Sequence, residues 1–248
     1  MAAFREFVEA LKTYDELHVI DEEVDCELQA SAICAMSQRI GGPAIQFNRV
    51  KGYPGIPLLG SLLSGPGFIE WPQQQRRMQG RISVALGLEP DTHYTEVVET
   101  VVDRSTAPIR AIQIESGPCQ EVVIEGKAID LYKYPVPLIH DKDGGRYLTF
   151  HVVLTQDPQK TWTNIGVYRL MIAGKNRLVQ GGIPRRIKPT HLEQIVSEYH
   201  EKGEAAPFAV VVGPPPEMIM TACLDLPPGT DEYATACGLG LTSIPLIK

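Results

Sequence analysis

The spacing of hydrophobic and polar positions before Pro108 alternates between two periods. Apolar residues recur at helical spacing in some runs and alternate with polar residues in others. The pattern predicts helices over 4–12, 27–40, about 73–86 and about 95–102. It predicts strands in "ELHVIDEEVD", "AIQFNRV" and "IPLLGSLL". Helices and strands that alternate along the chain are typical of an α/β domain.

After Pro108 the chain reads as consecutive strands separated by turn signals. The strand-like runs are "CQEVVIEG", "RYLTFHVVLTQ", "TNIGVYRLMI" and "NRLVQGG". Short strands in succession predict an antiparallel meander that curls into a barrel or a sandwich. We therefore place a domain boundary near residue 115, with an N-terminal α/β domain over 1–115 and a second domain over 116–248.

The end of the chain returns to mixed helix and strand. "PTHLEQIVSEYHEKG" predicts a helix with one apolar face, formed by Leu192, Ile195, Val196 and Tyr199. "FAVVVG" predicts a buried strand, and "PPEMIMTACL" and "GTDEYATACG" each predict a further helix.

Arg169 interrupts an apolar row. If residues 161–172 form one strand, Ile165, Val167 and Met171 share a face with Arg169. One interpretation is an edge-strand arginine in solvent, or one paired with a structural carboxylate. The other is a guanidinium that faces a cavity and holds a carboxylate or phosphate. Gly166, which marks close approach of a ligand to the backbone, favours the second; Asn164 is either a turn residue or a ligand.

His191 is the second unusual residue. Thr190 and Glu193 have capping-box spacing, so His191 is expected in the first turn of its helix. The positive end of the helix dipole there disfavours a protonated imidazole and attracts anions. A surface histidine is the simpler alternative. From the residues alone, the hypothesis is an anion or cofactor site near Asn164, Arg169 and His191.

Composition excludes several classes of protein. The net charge of −7 argues against a general nucleic-acid binder, and Arg185, Arg186 and Lys188 form the one tight basic cluster of the second half. The five scattered cysteines form no C-x-x-C pair, which indicates reduced thiols rather than a zinc site or disulfides. No apolar run is long enough to span a membrane, and the start lacks a signal-peptide pattern, so a cytoplasmic protein is expected.

The order of these segments resembles a known family. The segments "DGGRYLTF", "TWTNIGVYRLMI", "IKPTHLEQ", "PFAVVVGPPPEMIM" and "LPPGTDEYATA" together resemble the UbiD family of reversible, prenylated-FMN-dependent decarboxylases. The N-terminal part, from "FREFVEALKTYDELHVIDEEVD" to "RISVALGL", is similar too. The most specific element is the combination of N-x-G-x-Y-R with the downstream KP-x-H.

The resemblance implies a fold and a cofactor. The expected class is α+β: an N-terminal α/β domain followed by a split β-barrel that binds flavin, with flanking helices. The implied cofactor is prenylated FMN, whose phosphate is held through a divalent metal, usually Mn²⁺, with K⁺ nearby. Asn164 and His191 match metal-ligand positions, and a glutamate after the "LIK" segment is expected as the third ligand.

The resemblance also implies roles for individual residues. Arg169 matches the active-site arginine that lies beside the flavin and the substrate carboxylate and pairs with a glutamate. The implied cofactor contacts are Thr149, Asn164, Ile165, Gly166, Val167, Tyr168, Arg169, Thr190, His191, Ala222, Cys223 and Leu224. Ala222 and Cys223 replace a polar pair found in ferulic acid decarboxylases.

The implied activity is non-oxidative decarboxylation or carboxylation of an aromatic, heteroaromatic or α,β-unsaturated acid. A flavin prenyltransferase is expected to supply the cofactor, and the protein is expected to form a homodimer or to bind a companion C-terminal subunit. Relatives continue beyond Lys248 with catalytic glutamates, so the sequence suggests an N-terminal piece, a short form that borrows a partner, or a chain without decarboxylase activity. The alternatives are a non-catalytic flavin- or phosphate-binding subunit and a flavin reductase-like protein.

Overall fold

The structure is a computed structural model that describes residues 4–63, 75–181 and 189–247, with the backbone alone for 75–78. The basic cluster of Arg185, Arg186 and Lys188 lies outside the described residues. The helices are α1 (Phe4–Thr13), α2 (Gln29–Arg39), α3 (Gln75–Ala85), α4 (Tyr94–Ser105), α5 (His191–Glu201), α6 (Pro216–Thr221) and α7 (Glu232–Gly240). The strands are β1 (Leu17–Val24), β2 (Ala44–Val50), β3 (Leu58–Gly60), β4 (Ile112–Ile114), β5 (Tyr147–Leu148), β6 (His151–Gln156), β7 (Thr163–Gly166), β8 (Leu170–Ile172), β9 (Leu178–Gln180), β10 (Phe208–Val212) and β11 (Pro245–Ile247).

The N-terminal part forms the alternating helices and strands that its hydrophobic pattern predicts. β1 pairs with β2 in parallel, and β2 pairs with β3 antiparallel. The apolar face of α1 buries Phe7, Val8 and Leu11 in one core cluster with Leu17 of β1. The mixed α and β content of the fold is confirmed.

The second half holds two antiparallel three-stranded sheets, in the orders β10-β6-β7 and β5-β8-β9. The predicted simple meander is wrong, because β6 pairs with the distant β10 and because β7 and β8 belong to different sheets. Within the described ranges the strands do not close into a barrel. The split barrel remains a prediction.

Two predicted strands differ from the structure. The "CQEVVIEG" run overlaps two 3₁₀ turns, at Pro118–Gln120 and Gly126–Ala128, with irregular chain between them, and Val122 and Val123 are exposed. "FAVVVG" does form β10, but this strand lies at a sheet edge, where Phe208 is 57% and Val212 65% exposed. The prediction that β10 is buried is therefore wrong, because an apolar run specifies a strand without specifying what covers it.

The run around Arg169 is two strands rather than one. β7 ends at Gly166, three residues follow as an irregular link, and β8 begins at Leu170 in the other sheet. Arg169 therefore does not share a strand face with Ile165 and Met171, and the premise of one continuous strand is wrong.

Several contacts join the two halves of the chain. The Arg104 guanidinium of α4 donates to the carbonyl of Leu239 in α7 (3.0 Å), and β4 pairs in parallel with β11. The rings of Phe4 and Phe150 lie 5.8 Å apart. The boundary near residue 115 stays a prediction. Of the helices in the described residues, none has the length and apolar character to cross a membrane.

Candidate cofactor and metal site

His191 is the first residue of α5, as the sequence predicts. The Thr190 hydroxyl accepts a hydrogen bond from the Glu193 N–H (3.2 Å), and the Glu193 carboxylate accepts one from the Thr190 N–H (2.6 Å). This capping box satisfies free N–H groups of the first turn and fixes where the helix begins. The indole ring of Trp162 meets the His191 imidazole edge-on, with ring centroids 5.3 Å apart.

Glu232 is the residue that sequence reasoning missed. It is the first residue of α7, and its buried carboxylate accepts a hydrogen bond from the Ile165 N–H of β7 (2.6 Å). Its second oxygen lies 3.8 Å from His191 Nδ1. Acids are common in the first turn of a helix, and Asp231 caps α7 through the Ala234 N–H, so the sequence held no local signal for the contact of Glu232 with β7.

The environment of Glu232 changes its acidity. Burial raises the pKa of Glu232 from 4.5 to about 7, although the hydrogen bond from the Ile165 N–H partly offsets this effect. Because burial disfavours the ionised form of this carboxylate, a nearby cation would stabilise that form. A proton or a bound metal ion can fill that role.

Asn164 lies on β7 next to this cluster. Its side chain is buried, and its Nδ2 donates to the Tyr168 hydroxyl (3.4 Å). The amide oxygen, which is the atom that a metal binds, is not the atom used in this bond. The Glu232 carboxylate accepts its hydrogen bond from the peptide between Asn164 and Ile165, so Glu232, with His191 beside it, lies against the β7 backbone next to Asn164.

Gly166 makes room for the side chain of Tyr168. A Cβ at Gly166 would lie 2.2 Å from Cε2 of the Tyr168 ring. The close approach that the sequence attributed to a ligand is made here by this ring, which lies back over β7. Ile165 is buried on the opposite side of the strand, in a core cluster with Met218 of α6.

Arg169 is exposed in the link between β7 and β8. Within the described ranges no carboxylate lies at ion-pairing distance from its guanidinium. Val167, in the same link, is also exposed. The structure therefore gives this arginine access to a ligand and leaves the expected glutamate partner unassigned.

The remaining predicted cofactor contacts lie on two other segments. Ala222, Cys223 and Leu224 form the turn that directly follows α6, and α6 packs against β7. Thr149 connects β5 to β6 and lines a cavity of about 690 Å³ between α2, β3 and the 137–141 segment. The structure thus packs α5, which His191 opens, against β7, which carries Asn164, whereas Thr149 lies beside the N-terminal elements.

The donor set at this edge suits a metal ion of intermediate hardness. In the described part of the chain, no three His, Cys, Asp or Glu side chains cluster closely enough to hold a metal. His191 and Glu232 nevertheless approach each other, and Asn164 adds an amide oxygen. Imidazole nitrogen combined with carboxylate and amide oxygen is a set that binds Mn²⁺.

Comparison with known proteins shows the family. Residues 110–248 match the 3-octaprenyl-4-hydroxybenzoate carboxy-lyase Rift-related domain, and residues 8–101 match the N-terminal domain of the same enzymes. The chain is 31% identical over 251 residues to ferulic acid decarboxylase 1 of Saccharomyces cerevisiae, covering 99% of this chain and 48% of that protein. It is 32% identical to pyrrole-2-carboxylic acid decarboxylase of Pseudomonas aeruginosa, covering 92% of this chain and 45% of that protein.

Solved structures show the same fold. The UbiD-class enzyme HmfF from Pelotomaculum thermopropionicum, an evolved dimeric form in complex with prFMN, superposes with a TM-score of 0.84 at 23% identity. The match covers 100% of this chain and 53% of that one. The chain spans about half the length of the curated relatives that it matches. The two family matches and the identity to the yeast enzyme show that this chain belongs to the UbiD family.

Proposed function

We propose that this chain is the cofactor-binding portion of a UbiD-like carboxy-lyase. The substrate class is an aromatic, heteroaromatic or α,β-unsaturated carboxylic acid, in keeping with the acids named for the yeast and Pseudomonas relatives. The observation that carries the proposal is the approach of His191 to Glu232, each at a helix start, with the Glu232 carboxylate bonded to the β7 peptide that follows Asn164.

The cofactor is prenylated FMN, bound through its phosphate and a Mn²⁺ ion, with K⁺ nearby. Asn164, His191 and Glu232 would hold the metal, and Glu232 would take the place of the third ligand that the resemblance put after the "LIK" segment. The N–H groups at the start of α5 and the positive end of its dipole favour an anion at the same place. The sheets β10-β6-β7 and β5-β8-β9 form the split barrel that holds the flavin.

The walls of the flavin site come from four segments. The strand end and link over 164–169 supply Ile165, Gly166, Val167 and Tyr168. Thr190 lies before α5, and the turn after α6 supplies Ala222, Cys223 and Leu224. Thr149 approaches from the β5–β6 connection, which also borders the 690 Å³ cavity.

The reaction requires an electron sink, which the cofactor supplies, and a carboxylate-binding group and a proton donor, which the protein supplies. Loss of CO₂ from an sp² carbon leaves an electron pair that is unstable in water, and prenylated FMN supplies an electron sink when bound. Arg169 binds the substrate carboxylate through its planar, doubly donating guanidinium and orients it before CO₂ leaves. A glutamate from the rest of the protein or from a partner protonates the product carbon.

Cofactor retention tests the proposal directly. The chain is co-expressed with a flavin prenyltransferase and purified with Mn²⁺, and its absorption spectrum and the mass of the released cofactor are measured. We expect prenylated FMN together with one Mn²⁺ per chain. His191→Ala abolishes retention, whereas His200→Ala, on the exposed side of the same helix, retains the cofactor. A chain without flavin under these conditions contradicts the proposal.

A second candidate is a non-catalytic flavin-binding subunit. It is favoured by Arg169, which lacks a carboxylate at ion-pairing distance within the described residues. This candidate predicts that the loaded chain retains flavin and metal but releases no CO₂ from any acid of the proposed class. Addition of a companion C-terminal chain, or formation of a homodimer, restores CO₂ release if the first proposal is correct.

A further inference from the structure

The β6–β7 ladder stops two residue pairs before the N-terminal end of β6. The last pairs that form are Thr155 with Asn164, Leu154 with Ile165, and Val153 with Gly166. Continued in the same antiparallel register, the ladder would place Val152 opposite Val167 and then His151 opposite Tyr168. The backbone leaves the sheet after Gly166, so neither pair forms through the main chain.

The His151 side chain makes the missing connection instead. Its Nε2 lies 2.8 Å from the Tyr168 carbonyl oxygen. A carbonyl can only accept a hydrogen bond, so Nε2 carries the proton and donates. The imidazole thus replaces the missing backbone pairing between residues 151 and 168 and holds the link that leads to Arg169.

The state of this imidazole is set by its surroundings. His151 is 0% exposed, and its Nδ1 has no hydrogen-bond partner within the described residues. Burial lowers the pKa of His151, an effect that the hydrogen bond to the Tyr168 carbonyl only partly offsets. The neutral form, with the proton on Nε2 and the lone pair on Nδ1, is therefore the stable one.

Tyr168 is also held at its other end. Its hydroxyl accepts from Asn164 Nδ2 at 3.4 Å, and its ring lies over Gly166. Residue 168 is thereby fixed both at the carbonyl and at the side chain. Arg169 is the next residue in the chain. The hydrogen bond from His151 to the Tyr168 carbonyl therefore determines where the exposed arginine leaves the sheet.

We propose that His151 is a positioning residue that fixes the link Val167–Arg169 through the Tyr168 carbonyl, and that it thereby sets the position of Arg169 at the flavin site. The inference rests on the proposed function only for the part that concerns flavin. The hydrogen bond itself belongs to this chain with or without a cofactor.

The test compares His151→Leu, which removes the donor, with His151→Gln, whose amide can still donate. Trypsin cleavage at Arg169–Leu170 reports the freedom of the link, and cleavage at Arg177–Leu178, in the turn before β9, is the internal control. Loss of one buried hydrogen bond should speed cleavage after Arg169 by about tenfold in His151→Leu. His151→Gln should return it to the wild-type rate, with cleavage after Arg177 unchanged in both variants.

Two further measurements separate the inference from the proposed function. FMN affinity, from fluorescence titration, should fall by about tenfold in His151→Leu and recover in His151→Gln. If the wild-type chain binds no flavin, the proposed function fails, and trypsin cleavage alone decides on His151. If His151→Leu does not fold, the ¹⁵N spectrum of the wild-type imidazole decides. A neutral ring protonated at Nε2 supports the inference, whereas an Nδ1-protonated ring, or equal cleavage after Arg169 in all variants, overturns it.

Discussion

The Nδ1 atom of His191 lies 3.8 Å from a carboxylate oxygen of Glu232, and each of these residues opens its own helix. The other oxygen of Glu232 accepts the Ile165 N–H, so the carboxylate connects α7 to β7 as well. An acid is favourable at the positive end of a helix dipole, but burial of its charge is not. A cation bound between this buried carboxylate and the imidazole would offset the cost of burying the negative charge.

Replacement of Glu232 by Gln should remove most of the affinity for Mn²⁺. The variant keeps the size of the side chain and an acceptor for the Ile165 N–H but loses the negative charge. We expect an affinity at least about 100-fold weaker, because outer-shell changes alone cost 10- to 100-fold. Isothermal titration at pH 8, where the wild-type carboxyl with its pKa of about 7 is ionised, measures the change.

Glu198→Gln is the matched control, since Glu198 is exposed on α5. Its affinity for Mn²⁺ should equal that of the wild type. If the wild type, Glu232→Gln and Glu198→Gln bound Mn²⁺ with equal affinity, Glu232 would not be a metal ligand.

The parts of the site that were predictable from sequence depend on local chemistry. A capping box lies within four consecutive residues, so the helix start at His191 follows from Thr190 and Glu193 alone. The role of Glu232 depends on packing of α7 against β7, which no local pattern records. The sequence therefore identified one side of the pair and missed the other.

The strand errors have a related cause. A hydrophobic run predicts extended chain, but sheet pairing and coverage are decided by distant elements. The run through Arg169 divides because the Tyr168 ring returns over Gly166 and the chain then enters another sheet. Similarly, the apolar composition of "FAVVVG" predicts a buried strand. In the structure this strand, β10, pairs only with β6 and therefore lies at the edge of its sheet.

Arg169→Ala should lower activity while leaving stability nearly unchanged. The side chain is exposed, so the free energy of unfolding should change by no more than about 0.5 kcal/mol. Loss of the group that orients the carboxylate should lower CO₂ release by at least about 100-fold in the cofactor-loaded protein with its partner chain present. Arg177→Ala, which removes another exposed arginine in the turn before β9, should retain activity. Intact turnover in Arg169→Ala would contradict the assigned role.

Gly166→Ala should destabilise the fold through the Tyr168 ring. The added Cβ would lie 2.2 Å from a ring carbon, so the ring must leave its place over β7. We expect a loss of about 1–3 kcal/mol in the free energy of unfolding, measured by chemical denaturation. Gly181→Ala is the control and should be near neutral, because among the described residues no atom beyond its chain neighbours lies within 4 Å of the added carbon.

The Tyr168→Ala background tests the cause of this loss. If the ring is the obstacle, Gly166→Ala should cost much less when the ring is already absent, because the two changes then share one interaction. An equal cost in both backgrounds would mean that the backbone of β7, rather than Tyr168, rejects the added carbon.

Asp157 should give the chain an acid-dependent stability. Its buried carboxylate accepts from the Thr161 N–H and the Trp162 N–H, both at 2.7 Å, and from the Thr161 hydroxyl at 2.8 Å. Burial alone would raise the pKa of Asp157, but these hydrogen bonds outweigh it and lower the pKa below 3.8. The loop so held carries Trp162, whose ring lies against His191.

A lowered pKa in the folded state means that the ionised carboxylate stabilises the fold above pH 3.8, and that this contribution is lost as the pH falls through the folded-state pKa. Asp157→Asn should therefore unfold more easily at pH 7, by about 1–3 kcal/mol. The difference from wild type, measured by urea denaturation over a pH series, should shrink as the pH drops below about 4. Asp103→Asn, which changes an exposed acid of α4, should track the wild type throughout. A difference for Asp157→Asn that stays constant with pH would show that its charge does not hold the loop.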